Sequence, residues 1–374
     1  MDFNLTEGQR MFQNLARDFA ERTVRPRAKE IDRTSEWPAD IVAGLAKIGL
    51  LGLPYPEQYS GLGADYMSFV LAVEQLSRVS MVTGGILAIA TASEEALFRH
   101  GNEELKKKYL SPLCKGEYLC ILAFTESTTG SDPRAIRSVA KQDGSDYLIS
   151  GEKNFASVAP GSEIALIFAK DETEKVSAFI VPVKSKGFTI RKHWETMGLR
   201  GSGTCPIFLD SVRIPAENLV GQKGNGPNIL MDAINLGQLG VCAEGVGVAQ
   251  AALELSVNYA KERIVYGKPM SNLPTAQWEL SEMATRIQAA RLLTYETAFV
   301  KDQNKSIRKE VAMAKLFSSE TAVYCTNLGM QIHGSYGYTK DFDIERFYRD
   351  AKITEIYEAV SEIQRMIIAQ HITR

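Results

Sequence analysis

The sequence predicts an α+β fold in three consecutive blocks: helical over residues 1–118, β over 119–222 and helical again over 223–374. Three observations carry that reading. Apolar residues in the first block recur at helical spacing. In the second, short runs rich in Val, Ile, Phe and Thr alternate with Gly, Asp and Pro, the pattern of strands and turns in an antiparallel sheet or small barrel. In the third, periodic segments run over 227–261, 274–303 and 306–333, long for globular helices, which favours a bundle.

The first block opens with a helix whose apolar face is Met11, Phe12, Leu15, Phe19 and Val24. Pro38 starts another, with Ile41, Val42, Leu45 and Ile48 on one face and Gly49 and Gly52 closing it. Residues 54–63 read as a turn-rich loop, 69–76 and 84–100 as helices, and 103–113 as amphipathic helix. The predicted strands are 120–124, 147–150, 164–169, 176–183, 188–192 and 207–214. A last helix begins near 360. The apolar content of the third block exceeds what one buried face needs, which points to subunit packing.

Composition excludes several classes. With 43 basic and 45 acidic residues the net charge is −2, so nothing favours nucleic acid or an acidic membrane surface. The apolar runs at 84–92 and 229–246 are too short or too interrupted for a membrane span. Met1-Asp2-Phe3-Asn4 is neither a signal nor a transit peptide, and a cytoplasmic address is expected. Five dispersed cysteines without a C-x-x-C pair read as reduced core thiols, and four scattered histidines give no metal motif.

The chemistry concentrates near the C-terminus. Glu358 stands between Ile356-Tyr357 and Ala359-Val360, just before a helical run. Uncharged surroundings disfavour the ionised carboxyl and bring its pKa toward neutrality, which suits a general base; a capping or surface Glu is the plainer alternative. Thr125-Glu126-Ser127-Thr128-Thr129-Gly130-Ser131-Asp132 is a hydroxyl- and Gly-rich turn able to offer backbone N–H groups to an anion or carbonyl. Four further segments complete the pattern: Gly151-Glu152-Lys153-Asn154-Phe155-Ala156-Ser157, Met197-Gly198-Leu199-Arg200-Gly201, Tyr259 to Pro269, and Gln331-Ile332-His333-Gly334-Ser335. Arg263 in the third of these suits a phosphate, although an Arg at a helix C-terminus also offsets the dipole.

Taken together these segments resemble the acyl-CoA dehydrogenase family along the full chain. The resemblance implies a helical N-terminal domain, a middle antiparallel β-barrel or sheet domain and a C-terminal four-helix bundle. It implies FAD as cofactor, with Leu122, Phe124, Thr125, Gly130, Ser131, Phe155, Ser157, Arg263, Tyr266, Gln331, Gly334, Ser335, Val360 and Glu362 around it. Arg263 and Tyr266 would reach the FAD of a neighbouring subunit in a homotetramer. Glu358 would take the α-proton of an acyl thioester while flavin N5 takes the β-hydride. Its backbone N–H would help hold the enolate oxygen. Electrons would leave to an electron-transferring flavoprotein. Ser131, Asn235, Gln238 and Ala359 would lie along the substrate.

Departures from the family pattern matter as much. Some members carry the base on the long helix of the third block; the matching position here is Gly237, which leaves Glu358 as the inherited base. Asn235 and Gln238 stand where Asp and Arg contact the CoA arm, so an acyl-carrier-protein thioester is the alternative carrier. Ser335 replaces a Gly, a cost of roughly 1 kcal/mol if that position needs φ > 0. Pro274 replaces a Gln, and Ala359-Val360 replaces Gly-Thr. Thr83 matches an Arg that pairs the distal carboxylate in glutaryl-CoA dehydrogenases, which argues against a dicarboxylic substrate. Glu94 and Glu95 border the acyl pocket in relatives. An oxygen-using flavin oxidase or monooxygenase, and a scaffold without FAD, complete the alternatives.

Overall fold

A computed structural model of the chain describes residues 4–373; Met1–Phe3, and with them most of the leader reading, lie outside these. The first block is helical. Helices α1 (Glu7–Phe19) and α2 (Arg25–Thr34) are joined through one wider helical turn, and α3 (Ala39–Lys47) follows Pro38. Then come α4 (Tyr66–Ser77), α5 (Met81–His100), the single turn α6 (Glu103–Leu105) and α7 (Ser111–Lys115). Thr6 and Gln9 cap α1 reciprocally, each side chain accepting the other's backbone N–H. The start of α4 is capped twice: Asp65 accepts from Ser68, and Asp302, far along the chain, accepts the N–H of Tyr66 at 2.6 Å.

The middle block holds β1 (Leu119–Ala123), β2 (Val139–Asp143), β3 (Asp146–Ala156), β4 (Ser162–Lys170), β5 (Val176–Pro182), β6 (Phe188–Ile190), β7 (Cys205–Pro215) and β8 (Leu219–Val220). They form one sheet in the order β6-β7-β3-β2-β4-β5-β8. It is largely antiparallel, but β1 lies parallel to β4, so the sheet is mixed rather than purely antiparallel. Two strands have no apolar run to announce them: β2 (VAKQD) buries one residue, Ala140, and β8 has two residues.

The last block is built on α8 (Gly226–Glu262), a small ribbon of β9 (Ile264–Val265) and β10 (Lys268–Pro269), then α9 (Pro274–Asp302), α10 (Arg308–His333), α11 (Ile344–Ala351) and α12 (Ser361–Ile372). Helix α10 packs on α8 and α9 and carries α11 and α12. Pro274 falls at the first position of α9, where its missing N–H leaves no bond unmade. Helix α8 also crosses α5, and glycines bring the two close: a methyl placed on Gly240 would lie 2.5 Å from Ala88 Cβ. Both α5 and α8 are long and apolar enough to cross a membrane by length and composition, and both are mostly buried within the protein, 89% and 78% of their most apolar windows. All five cysteines are buried free thiols.

Candidate active site

Glu358 lies in the short connection between α11 and α12, on a corner that turns twice to the left. Its φ is +49° and that of Ala359 is +70°, a region costly for residues with a Cβ. Side-chain donors hold both carbonyls of the corner. Gln238 Nε2 donates to Glu358 O at 2.9 Å, and Gln364 Nε2 reaches Glu358 O at 3.4 Å and Ala359 O at 3.2 Å. Lys315 Nζ donates to Ala359 O at 2.7 Å. The backbone N–H groups of Glu358 and Ala359 have no acceptor among the described residues.

The Glu358 carboxylate packs on Gly237 of α8, where a methyl would stand 2.9 Å from Oε2. That oxygen is shielded from solvent and has no hydrogen-bond partner among the described residues. Burial drives the Glu358 pKa up to about 7, opposed by the Lys315 cation. Two turns along α8, buried Glu244 accepts the phenol of Tyr357. Burial pushes the Glu244 carboxyl up to about 8, and the Glu358 charge adds to the rise while the Tyr357 bond opposes it. A carboxyl poised near neutrality, with one oxygen shielded and unpartnered, can accept and return a proton.

A second group of predicted residues meets at the open ends of β1 and β3. Asn154 N donates to Thr125 O at 2.8 Å, tying the Thr125–Asp132 turn to β3. Phe155 (φ +53°) is 62% exposed and stacks on Trp194, ring centres 5.7 Å apart. An aromatic left bare beside a hydroxyl-lined strand end is a fitting wall for a flat ring system. Ser157 Oγ lies 3.1 Å from Thr204 Oγ1, which is 2.9 Å from Ser202 Oγ. Gly130 and Ser131 are exposed on the turn, and Leu122 and Phe124 are half-buried against the core. Underneath, Glu126 accepts from Lys153 Nζ at 2.7 Å, Arg137 N at 2.6 Å, Ser138 N at 3.0 Å and Ser138 Oγ at 2.6 Å. Those donors keep Glu126 ionised in spite of its burial.

A third group lines an open cavity of about 450 Å³ at the C-terminal end of α10: Gln331, Gly334 and Ser335, with Asn327, Met330 and Tyr338. Gly334 takes the left-handed φ of +59°, whereas Ser335 does not, so the Ser at 335 carries none of the strain its position had suggested. Tyr259 stacks on His333 at 4.4 Å and sets the C-termini of α8 and α10 side by side. Just beyond, Arg263 and Tyr266 are exposed, and Arg263 makes no side-chain bond among the described residues. Val360 stands at the N-cap position of α12 without a side-chain cap, and Glu362 lies exposed in its first turn.

Of the residues expected along the substrate, Ala359 and Gln238 join Glu358, Asn235 is half-buried on α8, and Ser131 sits on the β-block turn. Gln238 turns inward: it is buried and its amide is spent on the Glu358 carbonyl, which takes it off a CoA path. Sequence reasoning missed Lys315, Glu244 and Gln364. Glu126 and Lys153, two opposite charges inside strand-like motifs, carried a signal of their buried pairing.

Three acyl-CoA dehydrogenase family profiles match: the N-terminal domain over residues 6–117, the middle domain over 121–212 and the C-terminal domain over 224–373. The chain is 42% identical over 380 residues to an acryloyl-CoA reductase (NADH) of Anaerotignum propionicum, covering 100% of this chain and 96% of the relative. Its fold matches butyryl-CoA dehydrogenase of Megasphaera elsdenii with a TM-score of 0.98 at 33% identity, covering 100% of both chains. A chain in the structure of the electron transferring flavoprotein of Acidaminococcus fermentans matches with a TM-score of 0.99 at 35% identity, again over 100% of both. The bare aromatic at 155 and the cavity at 331–338 suit the cofactor such proteins use, and the chain belongs to the acyl-CoA dehydrogenase family of FAD-dependent oxidoreductases acting on CH–CH bonds.

Proposed function

We propose that the protein interconverts a saturated acyl thioester and its α,β-unsaturated counterpart, with Glu358 moving the α-proton at Oε2. The observation that carries this reading is the carboxylate itself: half-buried, with Oε2 shielded from solvent and unpartnered, resting on Gly237 and brought up to about 7. In the direction of dehydrogenation Glu358 takes the proton as base; in reduction the protonated form returns it. The unpaired N–H of Glu358 serves the thioester carbonyl oxygen, where negative charge grows as the α-proton leaves. Burial keeps competing water from Oε2. FAD supplies the acceptor or donor of the β-hydride; Phe155, Ser157 and the Thr125–Ser131 turn would hold its ring, and Gln331, Gly334 and Ser335 its distal half.

Arg263 and Tyr266 serve a neighbouring subunit's cofactor in this reading, in a homotetramer. Their exposure supports it: Tyr266 is 92% exposed and nearby Trp278 68%. An electron-transferring flavoprotein is the proposed electron partner, and α5 and α8 are core helices of a cytoplasmic enzyme rather than membrane spans. The acyl group rides on CoA. A carrier-protein thioester is a second reading, favoured by Gln238, whose amide is committed to the Glu358 carbonyl instead of being free for the CoA arm.

Anaerobic mixing of the yellow protein with a panel of acyl-CoA esters tests the reading. Flavin bleaching by a short or medium ester, abolished in Glu358→Gln with flavin still bound, supports it. Bleaching by a carrier-protein ester alone selects the second reading, and bleaching by neither sinks both.

A further inference from the structure

We infer that Lys315 is a positioning residue for the acid–base site: by pinning the Ala359 carbonyl it fixes the left-handed corner from which Glu358 presents its carboxylate. The inference rests on the proton-transfer role given above to Glu358. It starts from a contrast among the buried lysines. Lys153 is paired with Glu126 at 2.7 Å and Lys301 with Glu95 at 2.5 Å, the usual condition for burying a cation. Lys315 has no exposed surface and no carboxylate within ion-pair distance among the described residues. Its ammonium is spent on one backbone carbonyl, 44 residues away in sequence.

The carbonyl it holds belongs to the second of two consecutive left-handed residues, neither of them glycine. Such a corner persists only where its surroundings over-determine it, and the surroundings are Gln238 and Gln364 on one side and Lys315 on the other. With both carbonyls engaged, the two N–H groups are left as the unpaired polar atoms of the corner, and the Glu358 side chain is aimed at Gly237.

The same ammonium also acts as a charge. The ionisable groups around it are Cys242 from α8, Glu355 and Glu358 from the connection after α11, and Glu362 from α12; the Glu358 charge in turn raises Glu244 and Tyr357. Burial brings Lys315 down to about 8 and Glu358 up to about 7, and each opposes the other's shift. Near neutral pH the cation therefore favours the ionised base.

The test uses the flavin-loaded protein as wild type, Lys315→Met, Lys315→Gln and Lys315→Arg. Infrared difference spectra follow the protonated carboxyl band that disappears in Glu358→Gln. The expected result is a titration midpoint raised by about one unit or more in Lys315→Met and Lys315→Gln, and returned toward wild type in Lys315→Arg. With a bleaching ester, Lys315→Gln, which keeps a donor, retains more of the limiting rate than Lys315→Met, with KM little changed. Should Lys315→Met fail to fold, Lys315→Gln alone decides the midpoint. An unmoved midpoint in a folded, flavin-bound variant overturns the inference. Failure of the wild type to bleach with any thioester sinks the proposed reaction instead, and the band titration still judges Lys315.

Discussion

Gly237 and Glu358 touch, one contributing only its bare Cα face and the other its carboxylate; a methyl on the glycine would lie 2.9 Å from Oε2 and 3.0 Å from Cδ. The glycine, deep in a helix of 37 residues, forgoes about 1 kcal/mol of helix propensity relative to Ala. Its space is what lets the acid lie flat against α8.

Replacing Gly237 with Ala is therefore expected to hold or raise stability while displacing the acid. A shift on the order of 1 Å in a reacting group costs about 10²-fold in rate. Stopped-flow flavin bleaching, set against an unchanged bound-flavin spectrum and melting temperature, checks this.

The pH dependence has a definite sign. The carboxyl pKa of Glu358 is higher in the folded protein than its ordinary 4.5, reaching about 7 because of burial. The folded state thus binds more protons than the unfolded one between those values. Stability falls as pH rises through that window and levels off above it. Glu358→Gln removes the penalty, so the variant is expected to gain on wild type by the order of 1–3 kcal/mol at pH 8 and by little at pH 4. Denaturant titrations at the two pH values measure it. The dehydrogenation rate of the wild type should rise with pH through about 7, and the reverse direction should fall.

Ala359 adopts φ +70° with a Cβ to accommodate. Ala359→Gly is expected to stabilise the fold by about 1 kcal/mol, less the entropy the freer chain regains on unfolding. Thermal melts give the gain. A matching loss of rate would show that the methyl also steadies the corner.

Lys153 and Glu126 form a buried pair beneath the Thr125–Asp132 turn. Lys153→Met leaves Glu126 charged and short of one partner, a loss of about 3–5 kcal/mol. The turn should loosen with it, so flavin retention through gel filtration is expected to drop further than in the surface variant Lys184→Met.

The order of helix, sheet and helix was legible because periodicity is a local property. The apolar run at 164–169 marks β4 to within two residues, and 274–303 marks α9 to within one. Strand β2 was not, because Val139–Asp143 offers the core a single side chain and is a strand through its neighbours. The raised carboxyl at 358 was legible in the uncharged residues around it. Lys315 was not: inside a periodic helical segment a lysine looks like a solvent-facing residue, and the carbonyl it serves lies 44 residues on. The role of Gln238 was likewise hidden, since its partner lies 120 residues on.

One cross-tie sets how the blocks can be handled. The Arg349 guanidinium on α11 grips both oxygens of Asp32 on α2, at 2.8 and 2.7 Å, and Met197 O beyond β6, while Asp350 accepts the N–H of Leu199 at 2.6 Å. Three stretches far apart in sequence are thereby riveted at one spot. Chimaeras that graft the β block of one homologue onto the helices of another must carry residues 32, 197–199 and 349–350 as a set, or the seam that seats the 358–359 corner comes undone.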